Sequence, residues 1–178
     1  MRSTGDEKAW EEEMAGLNPR TTAPDFTLQT IDGRQFSLRE ALARGPVLVA
    51  FFKISCPTCQ YAFPFLQRLY EAHGNERLTI VGVSQNEKKD TAAFIKQYGV
   101  TFPVLLDDTN TYSVSNAYGL THVPSIFWIA TDSEIGISSV GWIRKEMEEL
   151  NQRAAAMSGA GLIPLFHPDE QVADFRAG

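Results

Sequence analysis

The sequence predicts an α/β domain in which helices cover both faces of a central sheet, and three observations carry that prediction. Val47-Leu48-Val49-Ala50-Phe51-Phe52 is continuously apolar, the pattern of a strand buried on both faces. From Cys59 onward, Ala62, Phe63, Leu66, Leu69, Tyr70 and His73 follow at spacings of three and four, which puts them along one side of a helix. Leu78-Thr79-Ile80-Val81-Gly82-Val83 then reads as a second buried strand, with a further helical stretch after it. Strands alternating with helices in this order specify neighbouring strands joined by helical crossovers.

The remaining elements follow in order. Residues 1–16 carry Trp10 and Met14, with Leu17 just beyond, at helical spacing on an acidic background, which predicts a short amphipathic helix docked on the body. Pro19 and Pro24 bracket a linker into residues 25–38, where alternating residues flank Asp32-Gly33, a turn signal that makes this stretch a β-hairpin. A short helix at 38–43 leads into the apolar run. After the second strand, Asn86 is expected to cap a helix over 87–98 that Gly99 closes. Pro103-Val104-Leu105-Leu106 is a brief strand and residues 111–118 a short helix. Residues 125–129 and 136–141 complete the sheet. The last helix spans 144–157, with Ile143, Met147 and Leu150 facing inward, and Gly159-Ala160-Gly161 breaks it. The chain thus divides into an N-terminal extension (1–22), one domain (23–157) and an irregular C-terminal arm (158–178).

With 178 residues and 43% hydrophobic content, the chain can build one well-packed domain without disulfide staples. A net charge of -6 argues against nucleic acid or an acidic membrane as partner, since neither is met by a basic footprint. Residues 1–13 lack the apolar core of a signal peptide and no later stretch approaches membrane-spanning length, so the expectation is a cytoplasmic protein, monomer or homodimer, with no membrane partner. A dithiol in that compartment is catalytic or metal-bound rather than structural.

The chemistry is concentrated at Cys56 and Cys59, the chain's two cysteines, separated by two residues. Such a pair is either a reversible dithiol/disulfide or half of a zinc site. Pro57 suits the first helical turn, where its missing N–H has no partner to lose, so Cys56 falls at the cap position and Cys59 on the inner face. A thiolate at Cys56 faces free N–H groups and the positive end of the helix dipole. Lowering a thiol pKa from about 8.5 to near 7 needs only roughly 2 kcal/mol of differential stabilisation. That leaves an attacking sulfur, Cys56, and a buried resolving one, Cys59. Lys53 stands three residues before Cys56, either beside the thiolate or as a solvated strand-end lysine.

A Cys-Pro-Thr-Cys at a strand-to-helix junction, followed by β-α-β and then Val123-Pro124 before two strands and a last helix, resembles the thioredoxin fold. Ala23-Pro24-Asp25-Phe26-Thr27-Leu28 with Asp32-Gly33, residues 97–104 and Leu106-Asp107-Asp108 are similar to the redoxin branch containing TlpA/ResA-type thiol-disulfide oxidoreductases, over roughly residues 23–157. The resemblance implies a thioredoxin-like central mixed sheet, Cys56 as nucleophile and Cys59 as resolving cysteine. It implies a cis peptide at Val123-Pro124 beside the sulfurs, with Val123, Pro57 and Thr58 meeting an extended substrate. It also implies disulfide-containing protein or small-thiol substrates, an upstream thiol reductant, and no cofactor beyond the redox-active pair. Glu87 matches a family glutamate after the second core strand and would take the Cys59 proton; its other reading is a carboxylate complementing the first turn of its helix. The chain departs from the pattern in three places. Ala50 stands where thioredoxins carry a buried aspartate, Ser55 replaces the usual Trp, and the chain shows no anchor.

Three other functions share the scaffold. Peroxiredoxins place Pro-x-x-x-Thr-x-x before the cysteine, where this chain has Val49 and Lys53. A copper- or zinc-binding module could add His122 to the two sulfurs, although a structural zinc needs four ligands; His73 and His167 have no expected role. A redox-dead binding domain would not need paired cysteines.

Overall fold

The computed structural model describes residues 16–178, so the expected helix at the N-terminus, with Trp10 and Met14, lies outside the described residues. Seven strands among those described form one mixed sheet in the order β2-β1-β5-β4-β3-β6-β7. They are β1 (Thr27–Thr30), β2 (Gln35–Ser37), β3 (Val47–Phe52), β4 (Thr79–Ser84), β5 (Val104–Leu106), β6 (Ser125–Ile129) and β7 (Ile135–Val140).

The apolar run is indeed the central strand. β3 runs parallel to β4, pairing Ala50 with Gly82, and antiparallel to β6, pairing Ala50 with Ile126. Every residue of β3 is buried because both faces are covered. Leu48, Ala50 and Phe52 pack under α2 (Pro57–His73), α3 (Lys88–Tyr98) and α5 (Arg144–Ser158). Val47, Val49 and Phe51 face the other layer, built from α1 (Leu38–Leu42), α4 (Ser113–Ala117) and the Ala23–Phe26 entry segment. On the first face an aromatic cluster joins sheet to helices, with Phe52 4.5 Å and Phe94 5.2 Å from Phe63 between ring centres.

The expected turns are present. Gly33 adopts φ +87° in the hairpin, and Gly99 closes α3 at φ +63°, both in the left-handed region that glycine enters without penalty. The cap of α3 differs from expectation: Glu87, not Asn86, is the N-cap residue, and the Asn86 side chain is used elsewhere. His73, without an expected role, is a buried tie between α2 and α5, its ring nitrogens bonded to Ser158 Oγ (2.9 Å) and Asn151 Oδ1 (3.1 Å).

The C-terminal arm is not irregular throughout. Ile143, expected to face inward from the last helix, instead belongs with Trp142 to β8 (Trp142–Ile143), which pairs antiparallel with β9 (Phe175–Arg176). The arm is pinned along its length: Arg68 holds Glu170 through both guanidinium nitrogens (2.7 and 2.9 Å), Leu165 is buried, and Trp142 Nε1 donates to the Ala173 carbonyl (2.6 Å). This route brings the end of the arm to the start of α2.

Candidate active site

The strand β3 ends at Phe52 and α2 begins at Pro57; residues 53–56 make the tight connection between them. Two side chains fix this turn. Asn86 Oδ1 accepts the Ile54 N–H (2.9 Å) and Gln60 Nε2 donates to the Ile54 carbonyl (2.9 Å). Both were missed at the sequence level, where the only signal was a polar residue at the end of the strand beside β3.

Cys56 is the N-cap residue of α2, with Pro57 in the first turn as the sequence predicts. Its sulfur is the capping group and accepts the Cys59 N–H at 3.0 Å. Cys56 is half-buried, while Cys59 is fully enclosed, and both are free thiols. The electrostatics separate the two sulfurs. The Cys59 thiol, hydrogen-bonding to Cys56, is the main cause that brings the Cys56 pKa down to about 7; burial opposes it, and the N–H groups of Cys59 and Thr58 and the charge of Lys53 add to it. Cys59 moves the other way: burial, then the neighbouring Cys56 sulfur, push its pKa far above the ordinary thiol value. The arrangement holds one anionic and one protonated sulfur side by side.

Opposite the sulfurs, the Val123-Pro124 peptide is cis, as the resemblance implies. When protonated, Cys56 Sγ donates to the Val123 carbonyl at 3.3 Å, so the loop and the nucleophile are in direct contact. Pro124 is buried, Val123 is partly exposed, and the Val123 N–H has no hydrogen-bond partner among the described residues.

Of the two residues between the cysteines, Pro57 is exposed but Thr58 is not free to meet a substrate. Its hydroxyl donates to the Ala177 carbonyl at 2.6 Å and only 6% of the residue is exposed, because the arm covers it. Arg176 lies over the Tyr61 ring (4.5 Å), and the Tyr61 hydroxyl accepts the Ala173 N–H (3.0 Å), so the arm also docks on the next turn of α2.

Glu87 is exposed at the start of α3, its carboxylate accepts the Thr109 hydroxyl, and among the described residues no hydrogen bond links it to Cys56 or Cys59. His122 bonds the adjacent Thr121 hydroxyl, and no group of three or more His, Cys, Asp or Glu among the described residues is placed to hold a metal ion. No helix among the described residues is long and apolar enough to cross a membrane.

Known proteins resemble this chain in sequence and in fold. The model of the AhpC/TSA family matches residues 19–137. The thiol-disulfide oxidoreductase ResA of Geobacillus thermodenitrificans is 30% identical over 127 residues, covering 71% of this chain and 71% of that protein. ResA of Halalkalibacterium halodurans is 30% identical over 128 residues, again with 71% of each chain covered. Among solved structures, MTB DsbF, in mixed oxidised and reduced forms, superposes with a TM-score of 0.64 at 27% identity, over 74% of this chain and 94% of that one. The thioredoxin domain of a Bacteroides vulgatus thiol-disulfide oxidoreductase gives a TM-score of 0.68 at 22% identity, over 77% and 97%, which speaks for the fold alone. A Cys-x-x-Cys with one lowered and one raised pKa, set against a cis-proline loop on this fold, is the equipment of dithiol exchange, and the chain belongs to the AhpC/TSA family as a ResA-like thiol-disulfide oxidoreductase.

Proposed function

We propose that Cys56 attacks a disulfide in an extended partner or small-molecule disulfide and that Cys59 resolves the product. The observation that carries this is the Cys59 N–H held 3.0 Å from Cys56 Sγ, with the Cys59 thiol as a second donor to the same sulfur. Cys56 thiolate attacks one substrate sulfur; the substrate S–S bond breaks, the far half leaves as a thiolate, and Cys56 is joined to the near half. Cys59 then gives up its proton to the departing thiolate or to water and attacks Cys56 Sγ, releasing the near half as a thiolate and leaving a Cys56–Cys59 disulfide. Two electrons pass from enzyme to substrate, and an upstream thiol reductant restores the dithiol.

The resolving step is helped by the consumption of charge at Cys56. Once Cys56 is in a mixed disulfide its negative charge is gone, and one of the causes that raise the Cys59 pKa goes with it. Val123 supports the substrate: its free N–H can pair with an extended segment laid across Pro57 while Cys56 attacks. No cofactor is required by these steps. Glu87 stays outside the proton path in this reading, and peroxide chemistry is not favoured, since Lys53 and Val49 occupy the positions of the peroxidatic Thr and Pro. Fractionation of native host cells tests the expectation that the exchange runs in the cytoplasm.

The test is a Cys59→Ser variant incubated with a disulfide-bonded protein such as insulin. It accumulates a covalent adduct on Cys56 that dithiothreitol releases, whereas the unaltered chain turns over without one. Absence of any adduct on Cys56 would contradict the assigned roles.

A further inference from the structure

On the Val123 side of Cys56 an open cavity of about 190 Å³ is lined by Lys53, Gln85, Ser115, Asn116, His122 and Val123, among others. Val123 links it to the chemistry, because the same residue lines the cavity and has its carbonyl 3.3 Å from Cys56 Sγ. A group seated there neighbours the residue that touches the attacking sulfur.

The lining mixes polar side chains with the apolar Leu120 and Val123 and the Tyr112 ring, and Lys53 gives it a positive charge although the whole chain carries a net charge of -6. Lys53 is exposed and has no ion-pair partner among the described residues, so its ammonium is available to a ligand. Its charge also favours the Cys56 thiolate, so the same ammonium serves both the cavity and the sulfur. His122 and Asn116 add ring and amide donors. Asp107, bonded to the lining residue Ser115, is buried and already engaged. Its Oδ2 accepts the Ser115 N–H (2.8 Å) and hydroxyl (2.6 Å), and its Oδ1 accepts the Asp108 N–H (2.9 Å) and the Val114 N–H (3.3 Å). The Ser115 oxygen in turn accepts Gln85 Nε2 (3.0 Å), so the wall is braced by a chain of hydrogen bonds that exists without any ligand.

We infer that this cavity seats a carboxylate beside the scissile disulfide, so that Cys56 prefers disulfides whose flanking groups are anionic. The inference rests on the exchange reading above and names its substrate class: a small carboxylate-bearing disulfide, or a peptide disulfide with an acidic residue next to the cysteine. Cys56 attacks the sulfur nearer the seated carboxylate, the S–S bond breaks, and the far half departs as a thiolate, with the electron count already given.

Three symmetrical disulfides of similar length separate charge from size: 3,3′-dithiodipropionate (anionic), 2-hydroxyethyl disulfide (neutral) and cystamine (cationic). Single-turnover rates with the reduced full chain are divided by the rates of the same disulfides with dithiothreitol at the same pH, which removes their intrinsic reactivity. The anionic probe is expected to exceed the cationic one by about tenfold at low salt, and the ratio to approach one near 1 M salt, where the screening length is about 3 Å. Lys53→Gln lowers all three rates through the thiolate but cuts the anion-to-cation ratio at least about threefold. A normalised ratio near one, a preference for cystamine, or a ratio unmoved by Lys53→Gln would overturn the inference alone. Inertness toward all three disulfides would overturn the exchange reading and this inference with it.

Discussion

The backbone N–H of Cys59 points at Cys56 Sγ from 3.0 Å, so the attacking sulfur is also the N-cap of the helix that carries its partner. Ionisation and helix capping are therefore one interaction. In the folded chain the Cys56 pKa falls from 9.0 to about 7. A lowered pKa contributes stability that is complete above the unfolded value and is lost as the pH falls through the folded one. Cys59, with its pKa raised, acts in the opposite sense, favouring unfolding once the unfolded thiol ionises above pH 9. The reduced protein is thus expected to gain stability from pH 7 to 9 and to lose it above that range. In Cys56→Ser the rise from 7 to 9 disappears, as urea midpoints across this range will show.

The turn before Cys56 depends on a side chain from the neighbouring strand end. Asn86→Ala leaves the partly buried Ile54 N–H without its 2.9 Å acceptor, at a cost of about 1–3 kcal/mol. Because the same turn positions Cys56, the exchange rate is expected to fall while Asn86→Asp, which keeps the acceptor oxygen, retains most of it. Urea unfolding and insulin reduction read the two effects.

The C-terminal arm is held by Trp142, which is fully buried and donates to the Ala173 carbonyl. Trp142→Phe removes that hydrogen bond and part of the ring, together worth about 1–3 kcal/mol. Residues 159–178 should then be cleaved by protease well before the body. Equal resistance in both proteins would show that the arm is held by its other contacts alone.

Phe63 stands at the centre of the aromatic cluster between β3, α2 and α3, with no surface exposed. Phe63→Ala is expected to destabilise the domain by about 3–5 kcal/mol, the usual cost of an aromatic-sized cavity. The shift in urea midpoint at constant slope measures it.

The sheet and the sulfur pair were legible in the sequence because each depends on local pattern. Six consecutive apolar residues mark β3 as central wherever its partners lie, and Pro57 fixes the helix start that makes Cys56 a cap. Long-range partners were not legible. Nothing in Asn86 distinguishes a residue that caps its own helix from one that reaches across to Ile54, and cap propensity favours the local choice. Thr58 reads as substrate-facing until residues 173–177 are folded back over it, a contact 119 positions away in the chain. Glu87 shows a related limit: a position in the chain after β4 does not say where its carboxylate points, and here one of its oxygens accepts the Thr109 hydroxyl.

Alkylation of the reduced chain with iodoacetamide, followed by mass mapping across pH, tests the division of labour between the sulfurs most directly. Cys56 should be modified with a rate midpoint near pH 7, and Cys59 should remain unmodified in the folded protein even at pH 9. Equal modification of both, or a Cys56 midpoint near the ordinary thiol value of about 8.5, would contradict the account.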